Sequence, residues 1–210
     1  MSNLLVPGVF AAGCLAGLTL NVLDVSIPDL HGISIYILYA LMLQVGISIG
    51  SSDNCSQILR TMRPKHLLIP LATVIGTLSF SAVVGLMLSK WSIADCLAVG
   101  SGMGYYSLSS ILIVQLKSPS MGLQLATELG TIALLANIFR ELFALMSAPW
   151  LRRHFGKLAP ISAAGVTSVD VALPTIMRIS GSEMVPIAIF HGLLIDMSVP
   201  FFISLFCSIS

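Results

Sequence analysis

Asn137, Arg140 and Glu141 stand in the middle of an otherwise apolar stretch, Thr127 to Arg152. An ionisable group at the centre of a membrane helix costs about 2.5 to 3.5 kcal/mol on insertion scales, so such groups face a bundle interior or a water-filled cavity. Asn137 and Glu141 share a helix face, and Arg140 is a three-residue neighbour of Asn137, so one cavity-facing stripe is expected to hold all three. Adjacent residues project roughly 100° apart, which makes a direct Arg140–Glu141 pair awkward. Asp170 or Asp196 is the expected partner of Arg140, leaving Glu141 to a substrate ammonium or a proton.

Asp170 lies between Ser168 and Pro174, where unwound carbonyls and a carboxylate can together coordinate a cation. The plainer alternative is a helix N-cap for the segment from Val171 onward. Ser107, Ser109 and Ser110 offer a matching polar surface, although serine in membrane helices often bonds only its own backbone. Asp53, with Asn54, closes an apolar span and reads first as an ordinary interfacial residue, and second as a candidate binding group. His191 and Asp196 are offset around one helix, and His191 reads as a hydrogen-bonded packing residue before a proton relay. Asp24, Asp29, Asp95, Glu128 and Glu183 fall at expected helix ends, where solvation accounts for them.

The elements that must position these groups are membrane helices. Apolar residues make up 56% of the chain and charged residues 9%, against about a quarter charged in soluble domains. The net charge of +1, with dispersed Lys and Arg, excludes a nucleic-acid partner, because phosphate binding needs a clustered basic face. Cys14, Cys55, Cys96 and Cys207 share no metal-ligand spacing, so neither a metal site nor a disulfide framework is expected, and no cofactor. Met1 to Leu20 lacks a basic n-region and reads as a retained first span.

A helical crossing needs about 20 apolar residues. Leu4 to Leu23, Ile33 to Gly50, Leu67 to Leu88, Leu129 to Trp150 and Met184 to Ile209 meet that requirement. Ile93 to Leu116 and Leu158 to Ile179 are long enough, yet the first carries Gly100-Ser-Gly-Met-Gly104 with three serines, and the second Gly165, Thr167, Ser168, Asp170 and Pro174. A plain lipid-facing helix through either would expose unsatisfied polar groups. Both are expected to be re-entrant or broken helices lining a cavity.

Charge supports that arrangement. Seven simple crossings would divide Arg60, Arg63 and Lys65 from Arg152, Arg153 and Lys157 and erase the usual positive-inside bias. Two re-entrant elements entering from opposite faces place those six residues and Arg178 on one side, with Lys90 and Lys117 opposite. The expected fold is therefore all-α and polytopic, with about five transmembrane helices, a cytoplasmic start and an external end. Gly104-x-x-Ser107 and Gly165-x-x-Ser168 each precede an apolar run, then a span with two acids, Glu128 and Glu141 or Glu183 and Asp196. This suggests one domain over residues 1–210 with inverted repeats at about 67–150 and 129–209.

Enzymatic readings are poorer. An intramembrane hydrolase could use Ser107 and His191, but no Gly-x-Ser-x-Gly elbow occurs. Asp170 and Asp196 lack the flanking glycine pattern of an aspartyl protease.

Gly100 to Ser110, Asn137-Ile-Phe-Arg-Glu141, Gly165 to Pro174 and Met184 to Gly192 together resemble the bacterial lysine exporter family of the LysO type, over nearly the whole chain. The resemblance implies export of L-lysine, and of lysine analogues, across the bacterial cytoplasmic membrane. It also implies essential intramembrane acids at Glu141, in the Arg-Glu pair, and Asp170, in the Ser-x-Asp motif. Fused members begin with additional helices, so it implies a small separate membrane protein supplying about three spans, or a homodimer. Outward movement of a cation against the membrane potential calls for inward protons or sodium, an antiport. A passive channel or non-transporting membrane subunit is the alternative from another class. Single cysteines replacing Arg60 and Lys90 should label with an impermeant thiol reagent from opposite faces of the membrane, and labelling from one face would dismiss this topology.

Overall fold

The computed structural model describes residues 12–13, 15–20, 36, 43 and 64–209. The chain forms two compact units, Met1–Met42 and Leu43–Ser210. In the first, residues 12–13 and 15–20 are helical; most of Leu4 to Leu23 and Ile33 to Gly50 lies outside the described residues, as does Asp53. Helices dominate the second unit, and no strand occurs among the described residues.

A short 3-10 turn, Pro64–Leu67, leads into α1, Leu68–Met87. There follow α2, Ile93–Gly100; α3, Tyr106–Met121; α4, Leu123–Phe155; α5, Ala159–Ala164; a 3-10 turn, Gly165–Val169; α6, Leu173–Ser180; a third 3-10 turn, Ser182–Met184; and α7, Val185–Ile209. Lys65–Met87, Leu123–Phe155 and Ser182–Ile209 are long and apolar enough to cross a membrane. These correspond to three of the five expected spans.

Both Gly/Ser/Pro stretches are broken helices, as expected, and each doubles back. A straight helix would hold Asp95 and Lys117 about 33 Å apart at 1.5 Å per residue, yet Lys117 Nζ lies 2.7 Å from Asp95 Oδ1. The same spacing would separate Lys157 and Glu183 by about 39 Å, yet they are ion-paired at 2.6 Å. Lys90 before α2 also pairs with Glu128 on α4. Each hairpin is thus flanked by a lysine ahead of it bonded to an acid beyond it. Each also ends at a glycine with positive φ, Gly122 (83°) or Gly181 (106°), and hands over to a long helix.

One expectation needs correction here. Asp95 is expected at a solvated helix end, but it is 5% exposed, and Lys117, expected with Lys90 on the face opposite Arg60, is 0% exposed. Asp95 is drawn in because it closes a capping box with Ser92 at the start of α2, which aims its carboxylate across the hairpin at Lys117. Glu128 and Glu183 stay exposed but are held by lysines.

Packing follows membrane logic, with small residues inside and large ones outside. α4 buries Ala126, Gly130, Ala133, Ala144 and Ala148 on one stripe, while Phe139, Phe143 and Met146 face outward. α7 buries Ala188, His191, Gly192, Ile195, Val199 and Ile203 at helical spacing. Between them Ile161, Ala164, Ala172 and Ile176 of the second hairpin complete a core with Ala144 and Ala188. Lys117→Met strands a buried carboxylate, at a cost of about 3 to 5 kcal/mol for breaking a buried pair. Thermal unfolding in detergent should show a large drop that the double variant Lys117→Met, Asp95→Asn partly restores; an unchanged single variant would mean the hairpin is not closed by this pair.

Candidate functional site

Neither broken helix can satisfy its own ends, and the middle of α4 does it for both. At the first break, Met103 and Gly104 take φ of 45° and 103°. Gly104 N–H donates to Asn137 Oδ1 at 2.8 Å, while Asn137 Nδ2 donates to Ala133 O at 2.8 Å and Ser109 Oγ at 3.3 Å. At the second, α5 stops before Gly165 and leaves carbonyls of its last turn without helical partners. Arg140 takes these, donating from Nε to Ala163 O (3.1 Å) and from Nη2 to Ser162 O (3.3 Å), while Nη1 reaches Thr77 Oγ1 on α1 (3.2 Å). A guanidinium suits a helix C-terminus because its charge complements the carbonyl dipoles.

Side chains from the second break finish the task. Thr167 Oγ1 donates to Ala164 O at 3.0 Å, and Ser168 Oγ lies 2.8 Å from Gly165 O and 3.1 Å from His191 Nδ1. His191 Nε2 is 3.0 Å from Thr73 Oγ1, which also bonds Ser162 Oγ. This chain of contacts, buried at Ser168 and His191 and partly exposed at Ser162, fastens the turn to α1 and α7. The two breaks then meet directly, Val166 N–H donating to Met103 O at 3.0 Å. A Cβ on Gly165 would lie 2.1 Å from Met103 O, so no other residue permits this approach.

Beside the junction is a cavity of about 380 Å³, lined by Glu141, Asp170 and Asp196 together with Tyr105, Tyr106, Ser107 and Thr167. That volume lies within the range of small-molecule sites, about 300 to 1,000 Å³. Among the described residues its wall holds three carboxylates and no basic side chain. Asp170 is exposed, and Glu141 and Asp196 partly so; none of the three is ion-paired among the described residues. No three His, Cys, Asp or Glu among the described residues converge closely enough for a metal ion. The arrangement suits a larger organic cation: carboxylates for charge, phenol faces for cation–π contact, and hydroxyls for orientation.

The structure brings Glu141, Asp170, Asp196 and Ser107 together and leaves Asn137, Arg140, Ser109, Ser168 and His191 outside that lining, while Asp53 lies outside the described residues. The single stripe of Asn137, Arg140 and Glu141 is not formed: Asn137 clasps one break, Arg140 the other, and Glu141 alone faces the acidic cavity. Arg140 pairs with neither Asp170 nor Asp196, because its offset from Glu141 around α4 aims it at α5. Ser109 and Ser168 are buried structural partners of Asn137 and His191, and His191 packs as expected. A hydrolytic Ser168–His191 pair would be inaccessible, since both are 0% exposed. Tyr105, Tyr106 and Thr167 went unnoticed as lining residues. The signal available for them was their position beside the two Gly-rich breaks.

An all-α chain with membrane-length helices and broken segments around an acid-lined cavity is an integral membrane protein. It belongs to the lysine exporter LysO family, whose model matches residues 8–207, a family named for transport and not for catalysis. An Escherichia coli protein named "Lysine exporter LysO" is 32% identical over 172 residues, which cover 81% of this chain and 54% of that protein. The chain thus spans about half the length of that relative. A Haemophilus influenzae protein named "Putative lysine exporter" is 28% identical over 181 residues, covering 85% of this chain and 86% of that protein. No solved structure matches.

Gly165→Ala should lower stability by about 1 to 3 kcal/mol, the range for strained backbone positions. Thermal unfolding in detergent measures this, and a midpoint equal to that of the unaltered protein would show that the two breaks do not meet.

Proposed function

We propose that this chain is a multi-pass protein of the bacterial cytoplasmic membrane that exports L-lysine, and lysine analogues, as a secondary transporter. The observation that carries the reading is the cavity walled by Glu141, Asp170 and Asp196 without a basic residue among the described residues, in a member of a family described as lysine exporters. A lysine ammonium exchanges its hydration for one or two of these carboxylates, and its carbon stem lies against Tyr105, Tyr106 and Leu193. Ser107, Thr167 and backbone amides of the breaks remain for polar ends of the substrate.

In this reading the two hairpins are re-entrant, enter from opposite membrane faces and belong to an inverted repeat. Their lysine-to-acid ties at Lys90–Glu128 and Lys157–Glu183 support a common plan, and the basic residues Arg152, Arg153, Lys157 and Arg178 mark the cytoplasmic face. A single transport domain moves one repeat against the other, which opens the acidic cavity to each side in turn. Moving a monocation outward opposes the potential by about 2.3 kcal/mol per 100 mV. Inward protons or sodium offset that, so the cycle is an antiport. A small membrane protein, or a second copy of the chain, supplies further spans.

Counterflow of radiolabelled lysine into proteoliposomes tests the reading, with and without candidate small membrane partners. Glu141→Gln should reduce saturable flux about tenfold or more, the factor that corresponds to losing 1.4 kcal/mol of interaction. Full flux by that variant would remove the acid from the mechanism. Unsaturable or absent lysine flux by the unaltered protein would favour a channel or a non-transporting subunit.

A further inference from the structure

A second and larger cavity, of about 990 Å³, lies on the other side of Arg140, against α1, α2, α4 and α5. Its polar lining comprises Arg140, Asn137, Thr73, Thr77, Ser81 and Ser162, and the rest of the wall is apolar, with no Asp, Glu or second basic residue among the described residues. Among the described residues Arg140 is therefore the one charged side chain lining this cavity, as three carboxylates are in the other. Its three recorded donations, to Ala163 O, Ser162 O and Thr77 Oγ1, all go to neutral acceptors. A guanidinium has five N–H groups, so two remain. Carbonyl dipoles at the end of α5 offset part of the charge without neutralising it, and no carboxylate among the described residues lies within ion-pair distance of Arg140.

A guanidinium in an apolar wall, partly exposed to the cavity and lacking a carboxylate, matches a monoanion presented as a planar fork. We infer that the Arg140 cavity is a second substrate site, which reads the α-carboxylate of the transported amino acid. This rests on the exporter reading and deepens it. The carboxylate takes the free N–H groups of Arg140, with Asn137 and Thr77 beside it, and the carbon stem follows the apolar wall formed by Phe80, Val84 and Ile132. The ammonium groups remain in the water of a cavity large enough to hold it. Because the junction of Met103 with Val166 stands between the breaks, the anionic and cationic ends are read at different stages of passage. A diamine without a carboxylate satisfies the acidic cavity and fails at Arg140, so selection for an amino acid lies here.

The test is equilibrium binding of radiolabelled L-lysine to the purified full chain, with unlabelled lysine, lysinamide, 1,5-diaminopentane and chloride as competitors. Lysinamide and the diamine should compete about tenfold more weakly than lysine, a ratio in keeping with loss of a charge-assisted hydrogen bond. Arg140→Gln should weaken lysine by that factor, leave lysinamide unchanged and so abolish the discrimination, with Arg140→Lys intermediate. Equal weakening of lysine and lysinamide would reduce Arg140 to a clasp and overturn the inference, as would an unaltered protein that fails to distinguish them. Chloride displacing lysine without discrimination against lysinamide would assign the site to an inorganic anion and also overturn it. If Arg140→Gln binds neither ligand, Arg140→Lys decides by the same criterion: selective loss of lysine supports the site, equal loss removes it. Absence of any lysine binding by the unaltered protein sinks the exporter reading itself, a separate failure.

Discussion

A helix that stops inside a membrane protein leaves amides and carbonyls that hydrocarbon cannot satisfy, and one turn of α4 supplies the missing partners for two such stops. Asn137 accepts from the amide of Gly104, and Arg140 donates to the carbonyls of Ser162 and Ala163. Both breaks are thereby brought to the same level of the same helix, close enough for Val166 to bond Met103. The cavities on either side exist because the chain gives up helical hydrogen bonds there and recovers them from α4, Thr167 and Ser168.

That arrangement also sorts charge. Adjacent positions on a helix point about 100° apart, so clasping α5 with Arg140 necessarily turns Glu141 toward another side, where Asp170 and Asp196 already stand. Three carboxylates around one space repel, and with no basic side chain in that wall among the described residues, water, a bound proton or an incoming cation relieves them. Asp170 is the least buried of the three because it sits where α5 has ended and α6 has not begun. A structural ion-pair network would have placed Arg140 among these acids. Its removal to the other side leaves the acids without an ion-pair partner among the described residues.

The broken character of both stretches was legible in the sequence because Gly100 to Gly104 and Gly165 to Pro174 concentrate residues that helices in lipid reject. Glu141, Asp170 and Asp196 were each legible as candidate acids, but their convergence apart from Arg140 was not, and the packing role of His191 followed from its offset from Asp196 around the helix. The partners of Arg140 were not legible, since two of the three are backbone carbonyls, identical at every residue, and only the fold selects Ser162, Ala163 and the hydroxyl of Thr77. Asp95 and Lys117 were misplaced for a related reason: each reads as an end residue when helices are counted singly, and their pairing appears only when the chain folds back. Tyr105 and Tyr106 became lining residues through the positive φ of Met103 and Gly104, which pattern alone does not orient.

The hairpins differ in how firmly their two ends are held. Their bases are tied by ion pairs at Asp95–Lys117, Lys90–Glu128 and Lys157–Glu183, the first fully buried and therefore costly to open. Their inner ends touch each other through the hydrogen bond from Val166 to Met103, while each is separately anchored to α4. Asn137 holds one and Arg140 the other, so separating the breaks need not undo either clasp if α4 bends between them. The two anchoring residues are three positions apart, less than one turn, which confines such bending to a short segment. In an exporter that moves one repeat against the other, the junction of Met103 and Val166 is thus the contact that movement sacrifices most cheaply, next to a cavity lined by Arg140 and one lined by three acids.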